Sequence, residues 1–173
     1  MKVADAIALI KPAFTHKIQG SIWADLGCGT GTFTAALASL LGVGSKIYAI
    51  DRDSQRVKSP TESDTEIEFI KLNFVDDTLP VRNLDGILMA NSLHFVKDKS
   101  EFIERIKSHL KVDGRMIVVE YERNKSTPWV PYPMALNNLV KIFSACGFSR
   151  IEKISEKDSI YGPEKMYACS IEP

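Results

Sequence analysis

Ala24-Asp25-Leu26-Gly27-Cys28-Gly29-Thr30-Gly31 is the stretch that decides the fold. The apolar run Ser21-Ile22-Trp23-Ala24-Asp25 leads into it, and a helical pattern over Thr32–Leu41 leaves it. The glycines therefore sit at a strand-to-helix turn. Glycine there permits positive φ and lets a ligand approach bare backbone. The unpaired N–H groups at the helix start favour a carboxylate or phosphate. A tight loop with no ligand would use the same glycines, so spacing has to discriminate. A dinucleotide fingerprint, G-x-G-x-x-G, would need glycine where Thr32 or Thr34 stands, and the Gly-Lys-Ser/Thr of a P-loop is absent.

Outward from the turn, strand-like and helix-like segments alternate, which predicts an α/β fold with a mostly parallel sheet. Lys46–Asp51, Ile67–Leu72, Leu84–Ala90 and Arg115–Tyr121 read as further buried strands. In Thr32–Leu41, Phe33, Leu37, Leu40 and Leu41 share one face and Gly42 offers a stop. Ser54–Lys58 predicts a helical turn or two, broken by Ser59-Pro60. Ser100 is placed to cap a helix burying Phe102, Ile103, Ile106 and Leu110, and Val112-Asp113-Gly114 reads as a turn. Asn124–Pro133, with three prolines, reads as an irregular loop. Met134–Ala145 is then helical, with Leu136, Leu139, Val140 and Phe143 inward and Gly147 closing it. Ser149–Ile154 and Lys165–Ile171 predict a C-terminal antiparallel hairpin, joined through Tyr161-Gly162-Pro163, because a helical crossover would need about a dozen residues.

Composition narrows the function classes. Lys plus Arg and Asp plus Glu are both 22, so no excess of positive charge is available for a phosphate backbone or an anionic membrane. Met1–Phe14, with apolar Val3, Ile7 and Ile10 interrupted by the charges of Asp5 and Lys11, predicts a short amphipathic helix rather than an export signal. Cys28, Cys146 and Cys169 are odd in number and far apart, which argues against a disulfide framework or a zinc site. The expectation is one cytoplasmic domain over 1–173, with a short helix in 1–20, a Rossmann-like core over 21–173, no metal and no membrane segment.

A second acid, Asp51, ends the second strand 20 residues after Gly31, where a carboxylate can accept hydrogen bonds from both hydroxyls of a ribose. A solvated turn acid within Asp51-Arg52-Asp53 is the plain alternative.

Asp25-Leu26-Gly27-Cys28-Gly29-Thr30-Gly31 resembles the first motif of class I S-adenosylmethionine-dependent methyltransferases. The resemblance extends from Ile22 to the final hairpin. It implies a three-layer αβα sandwich around a seven-stranded sheet with a reversed last strand. It implies S-adenosyl-L-methionine as cofactor and S-adenosyl-L-homocysteine as product. Asp25, Gly27, Cys28, Gly29 and Gly31 would form the turn around the cofactor, Asp25 reaching toward the methionine amino group, with Asp51 at the ribose and Arg52 beside it among the cofactor-binding residues. Asn73-Phe74 resembles the pair that contacts adenine. Leu-Asp-Gly-Ile-Leu-Met-Ala-Asn-Ser-Leu-His-Phe (84–95) resembles the fourth-strand motif, so Ala90, Asn91 and Leu93 would line the methionine end. Leu110-Lys111-Val112-Asp113-Gly114 matches the family's Leu-Lys-Pro-Gly-Gly turn only loosely.

Methyl transfer from a sulfonium is an in-line displacement governed by distance and alignment. A base is needed only for an acceptor that is a poor nucleophile. His94 could be that base or could pack beside Phe95 with a backbone partner. Glu120 and Tyr121 end the fifth strand at the ligand-facing edge. Trp129 and Tyr132 could form an apolar lid or simply pack their own loop. The expected partner is a small-molecule acceptor. The competing expectations are a protein that keeps the fold without transfer activity and, further off, a nicotinamide oxidoreductase.

Overall fold

The computed structural model describes residues 1–57, 63–159 and 164–173. Ser59-Pro60 and Tyr161-Gly162-Pro163, expected to break and to connect elements, lie outside the described residues. Strands β1 (Ile22–Leu26), β2 (Lys46–Asp51), β3 (Glu66–Lys71), β4 (Leu84–Ala90), β5 (Leu110–Tyr121), β6 (Arg150–Asp158) and β7 (Lys165–Glu172) form one sheet in the order β3-β2-β1-β4-β5-β7-β6. β1 to β5 are parallel, while β7 is antiparallel to both β5 and β6. The expected hairpin is present, and its reversed strand lies inside the sheet rather than at its edge.

Helices α1 (Val3–Ile10) and α2 (Thr32–Leu40) cover one face, and α3 (Lys99–Lys107) and α4 (Leu136–Ala145) the other. The strand alternation feeds both layers, because successive side chains point to opposite faces. On β5, Met116 and Val118 join the α3/α4 core, while Ile117 and Val119 join the α1/α2 core. Trp23 lies across Gly86 of the neighbouring strand so closely that a Cβ there would meet the indole at 2.4 Å. The order reverses between β1 and β4, and an open α/β sheet binds ligands at the carboxyl edge of such a switch point.

Several local expectations are corrected. Residues 54–57 form no helical turn. α3 is capped by Asp98, whose side chain accepts the Glu101 N–H at 3.2 Å, and not by Ser100. Leu110 belongs to β5, and the turn expected at 112–114 is an outward bulge of that strand. The pairing steps from Leu84–Leu110 to Gly86–Arg115, leaving Val112 95% exposed. Val140 turns outward because α4 buries Leu139 and Phe143, which are spaced i, i+4. α1 buries Ala6, Leu9 and Ile10, while Val3 is exposed. Gly42 does not end α2 in a left-handed turn. Leu41 leaves the helix in an extended conformation, and Gly42 makes room for Gln19. No helix of the described residues is long and apolar enough to cross a membrane.

Candidate active site

The turn after β1 is built by its own backbone. Gly27, Gly29 and Gly31 take φ of 81°, 50° and 85°. The N–H groups of Gly27 and Cys28 both donate to Ile50 O, which ties the turn to β2. A Cβ on Gly27 would stand 2.5 Å from Cβ of Ser92, whose hydroxyl donates to Leu26 O at 2.6 Å. A Cβ on Gly29 would meet nothing within 4 Å, so that glycine opens onto space.

A cavity of about 500 Å³ opens beside this turn at the switch point. It gathers Asp25, Gly27, Cys28, Gly29, Asp51, Arg52, Asn73, Phe74, Ala90 and Asn91, ten of the twelve residues expected at a cofactor. Gly31 and Leu93 do not line it. A Cβ on Gly31 would meet Val57, and Leu93 is fully buried in the α3/α4 core. Met1, Thr30, Thr32, Phe33, Asp53, Gln55, Val75 and Ser92 also line it without having been expected at a cofactor, and Phe95 and Tyr121 close the wall.

The two acids play different parts. Asp25 is 1% exposed; its Oδ2 accepts the Thr34 hydroxyl at 2.6 Å, and its Oδ1 is buried with no partner. Burial, helped by the charge of Asp51 and opposed by the Thr34 bond, pushes its pKa up to about 7. From the sequence Thr34 stood out only as a position where a dinucleotide fingerprint would need glycine. Asp51 is half-buried, and its oxygens accept the N–H groups of Gly29 at 2.8 Å and Asp53 at 3.0 Å. It therefore fastens the glycine turn while facing the cavity. Asn73 is more committed than its expected adenine contact suggests. Its amide donates to Asp76 at 2.6 Å and its carbonyl oxygen accepts the Val75 N–H, so it shapes the 73–77 loop. Arg105 of α3 holds that loop from behind, donating to Phe74 O, Val75 O and Asp77 O at 2.9, 2.5 and 2.8 Å.

A second cavity of about 610 Å³ shares Asn91, Phe95 and Tyr121 with the first and adds His94, Arg123, Thr127, Trp129, Val130, Ser159 and Glu164. His94 packs beside Phe95, with ring centroids 4.4 Å apart, but its partner is a carboxylate rather than a backbone group. Glu120 accepts the His94 N–H at 3.0 Å and lies 2.8 Å from Nδ1. Glu120 is fully buried and lines neither cavity, so it braces His94 from within the fold. Tyr132 also stands off the cavity. Its N–H donates to His94 O and its carbonyl accepts the buried Lys99 ammonium, tying the Pro-rich loop to the 93–96 turn. Arg123 and Glu164, 3.5 Å apart, come from segments the sequence reading left unassigned.

A methyltransferase-domain family model matches residues 24–116 of the chain. The chain belongs to the methyltransferase-domain family. The match runs from within β1 through β4 into the first half of β5, and so takes in the first cavity's lining except Met1 and Tyr121. The chain is 26% identical over 141 residues to the ubiquinone/menaquinone biosynthesis C-methyltransferase UbiE of Cronobacter sakazakii, covering 78% of this chain and 53% of that protein. It is 49% identical over 53 residues to a probable cobalt-precorrin-6B C(15)-methyltransferase (decarboxylating) of Pyrobaculum aerophilum, covering 31% of this chain and 26% of that one. The chain thus spans about half or less of the length of these curated relatives. The fold superposes on Burkholderia thailandensis 1,6-didemethyltoxoflavin-N1-methyltransferase, solved with 1,6-didemethyltoxoflavin and S-adenosylhomocysteine. The TM-score is 0.68 at 16% identity, over 98% of this chain and 77% of that one.

Proposed function

We propose that this methyltransferase domain binds S-adenosylmethionine in the first cavity and transfers its methyl group to a small molecule in the second. The observation that carries the proposal is the shared wall. Asn91, Phe95 and Tyr121 border both cavities, so ligands in the two would meet end to end, as an in-line displacement requires. The residues of the first cavity fit the cofactor. The unpartnered Oδ1 of Asp25 is a buried acceptor suited to an ammonium group. Asp51 has lone pairs left for ribose hydroxyls beside the space that Gly29 leaves open, and Phe74 and Val75 supply apolar walls for a flat ring. The cofactor supplies an activated methyl group; the protein supplies alignment. The C. sakazakii relative and the B. thailandensis neighbour, both methyltransferases by name, support the same reading.

Isothermal titration of the chain with S-adenosylmethionine tests it, with saturable heat as the expected result. Asp51→Ala removes both the ribose partner and the tether of Gly29. It should weaken binding by about 1.5–3 kcal/mol, roughly ten- to 150-fold. Absence of heat at high protein concentration overturns the reading.

A further inference from the structure

The second cavity has a chemical character of its own. Among the described residues the exposed aromatic side chains are Phe95, Trp129 and Tyr132, at 45, 83 and 39%. All three belong to the two segments that frame this cavity, and Phe95 and Trp129 line it together with Tyr121. An apolar surface left open around a cavity marks a ligand rather than a folding requirement. Buried in its wall stands His94, held by Glu120 on both its backbone N–H and Nδ1. With Nδ1–H donating to Glu120, a neutral His94 ring would carry its lone pair on Nε2. The Lys99 ammonium, held by Val96 O and Tyr132 O, lies close enough to interact electrostatically with Glu120.

We propose that the acceptor is a hydroxylated aromatic compound, its ring against Phe95, Tyr121 and Trp129 and its hydroxyl against Nε2 of His94. This rests on the transfer reading above and goes beyond it by naming the acceptor class. A neutral aromatic amine already offers its lone pair, and the buried pair would be idle before it. A phenolic hydroxyl is a weak nucleophile until its proton is taken, so it uses the pair. In the step, the acceptor oxygen bonds to the methyl carbon as the carbon–sulfur bond breaks and its electron pair leaves on sulfur. The hydroxyl proton passes to Nε2, and the products are a methyl ether, S-adenosylhomocysteine and a proton later released from His94. His94 is then a catalytic residue, and Glu120 a positioning residue acting through it.

Calorimetry on the S-adenosylhomocysteine-saturated chain compares 6-hydroxyquinoline with quinoline. The hydroxylated ring should bind at least about tenfold more tightly, and Trp129→Ala should remove most of that binding. Transfer is then followed by S-adenosylhomocysteine release, with 6-hydroxyquinoline and its more acidic 5-nitro derivative as acceptors. His94→Gln should slow the first by about 10²–10³-fold and the second less than tenfold, because the second arrives largely ionised. Glu120→Gln should show the same pattern at smaller size, which a merely structural role would not produce. Equal binding of the two rings, or equal losses with both acceptors, overturns the proposal. The binding comparison uses the unaltered protein, so it decides even if the variants do not fold. Cofactor heat without discrimination between the rings defeats this inference alone, whereas no cofactor heat defeats the transfer reading beneath it.

Discussion

The two cavities that meet at Asn91, Phe95 and Tyr121 are built on opposite principles. The first is made of backbone geometry locked from within: three positive-φ glycines, a turn bonded to Ile50 O, and side chains of Thr34, Ser92 and Asp51 spent on their neighbours. The second is made of side chains on a short turn and a Pro-rich loop, with Trp129 almost wholly exposed. A site fixed by backbone serves one ligand across many sequences. A site made of loop side chains can change its ligand without touching the fold. The comparison predicts that damage to the first cavity spreads into stability, while damage to the second stays local.

Gly27→Ala should produce the largest effect. The new Cβ meets Ser92 at 2.5 Å and Phe74 at 3.2 Å, on a backbone with φ of 81°. Strain of about 1–3 kcal/mol from the conformation and a comparable cost from overpacking should lower Tm by on the order of 10 °C and abolish cofactor heat. Gly29→Ala meets nothing within 4 Å and should cost only the left-handed backbone, about 1–2 kcal/mol. Equal losses in the two variants, measured by thermal unfolding, would break the account of the turn.

The next effect is the pH dependence set by Asp25. Its pKa is raised from 3.8 to about 7, chiefly by burial. The folded protein therefore holds a proton that the unfolded chain releases between those values. This group's contribution to stability is most favourable below about pH 4 and declines as pH rises to about 7. A cofactor ammonium pairs with the ionised form, so affinity should run the other way. It should rise about tenfold per pH unit up to pH 7 and then level. Calorimetry with S-adenosylhomocysteine at pH 5.5, 6.5 and 7.5 measures the slope, and Asp25→Asn should flatten it. An unchanged slope in that variant would remove Asp25 from the ammonium site.

Arg105→Lys should act more mildly. The guanidinium reaches three carbonyls of the 73–77 loop, and one ammonium cannot serve all three. Cofactor and adenosine should both bind about three- to tenfold more weakly, close to 1 kcal/mol. Binding in the second cavity should be unchanged. A loss confined to the cofactor, with adenosine unaffected, would place the effect elsewhere than the adenine side.

What the sequence disclosed follows the same division. The glycine turn, Asp51 and the strand run Leu84–Ala90 were legible because they rest on local rules: φ at glycine, an acid at a strand end, a continuous apolar run. Arg105, Thr34 and the Glu120–His94 pair were not, since each acts on a partner 9 to 31 positions away that only the fold brings near. Glu120 illustrates the point. From sequence it ends a strand at the ligand edge, yet β-strand alternation turns it inward to His94 and leaves Tyr121 facing both cavities. Asp98 took the cap expected of Ser100 because helix starts shift by a residue or two when neighbouring residues offer the same oxygen.

Trp129→Ala should have the smallest effect on the fold, and so it separates the two cavities most cleanly. At 83% exposure the indole removes little surface from water, so its loss should change stability by no more than about 0.5 kcal/mol. Cofactor affinity should be unaltered, because Trp129 lines only the second cavity of the two. The Thr127–Val130 bridge that holds the loop tip is made by backbone and by the Thr127 hydroxyl, so the tip should keep its shape. If unfolding curves and cofactor titrations of the variant overlay those of the parent while aromatic acceptors bind less well, the loop carries specificity and nothing else. If Tm falls by several degrees, Trp129 packs its own loop after all, and the second cavity is as much a part of the fold as the first.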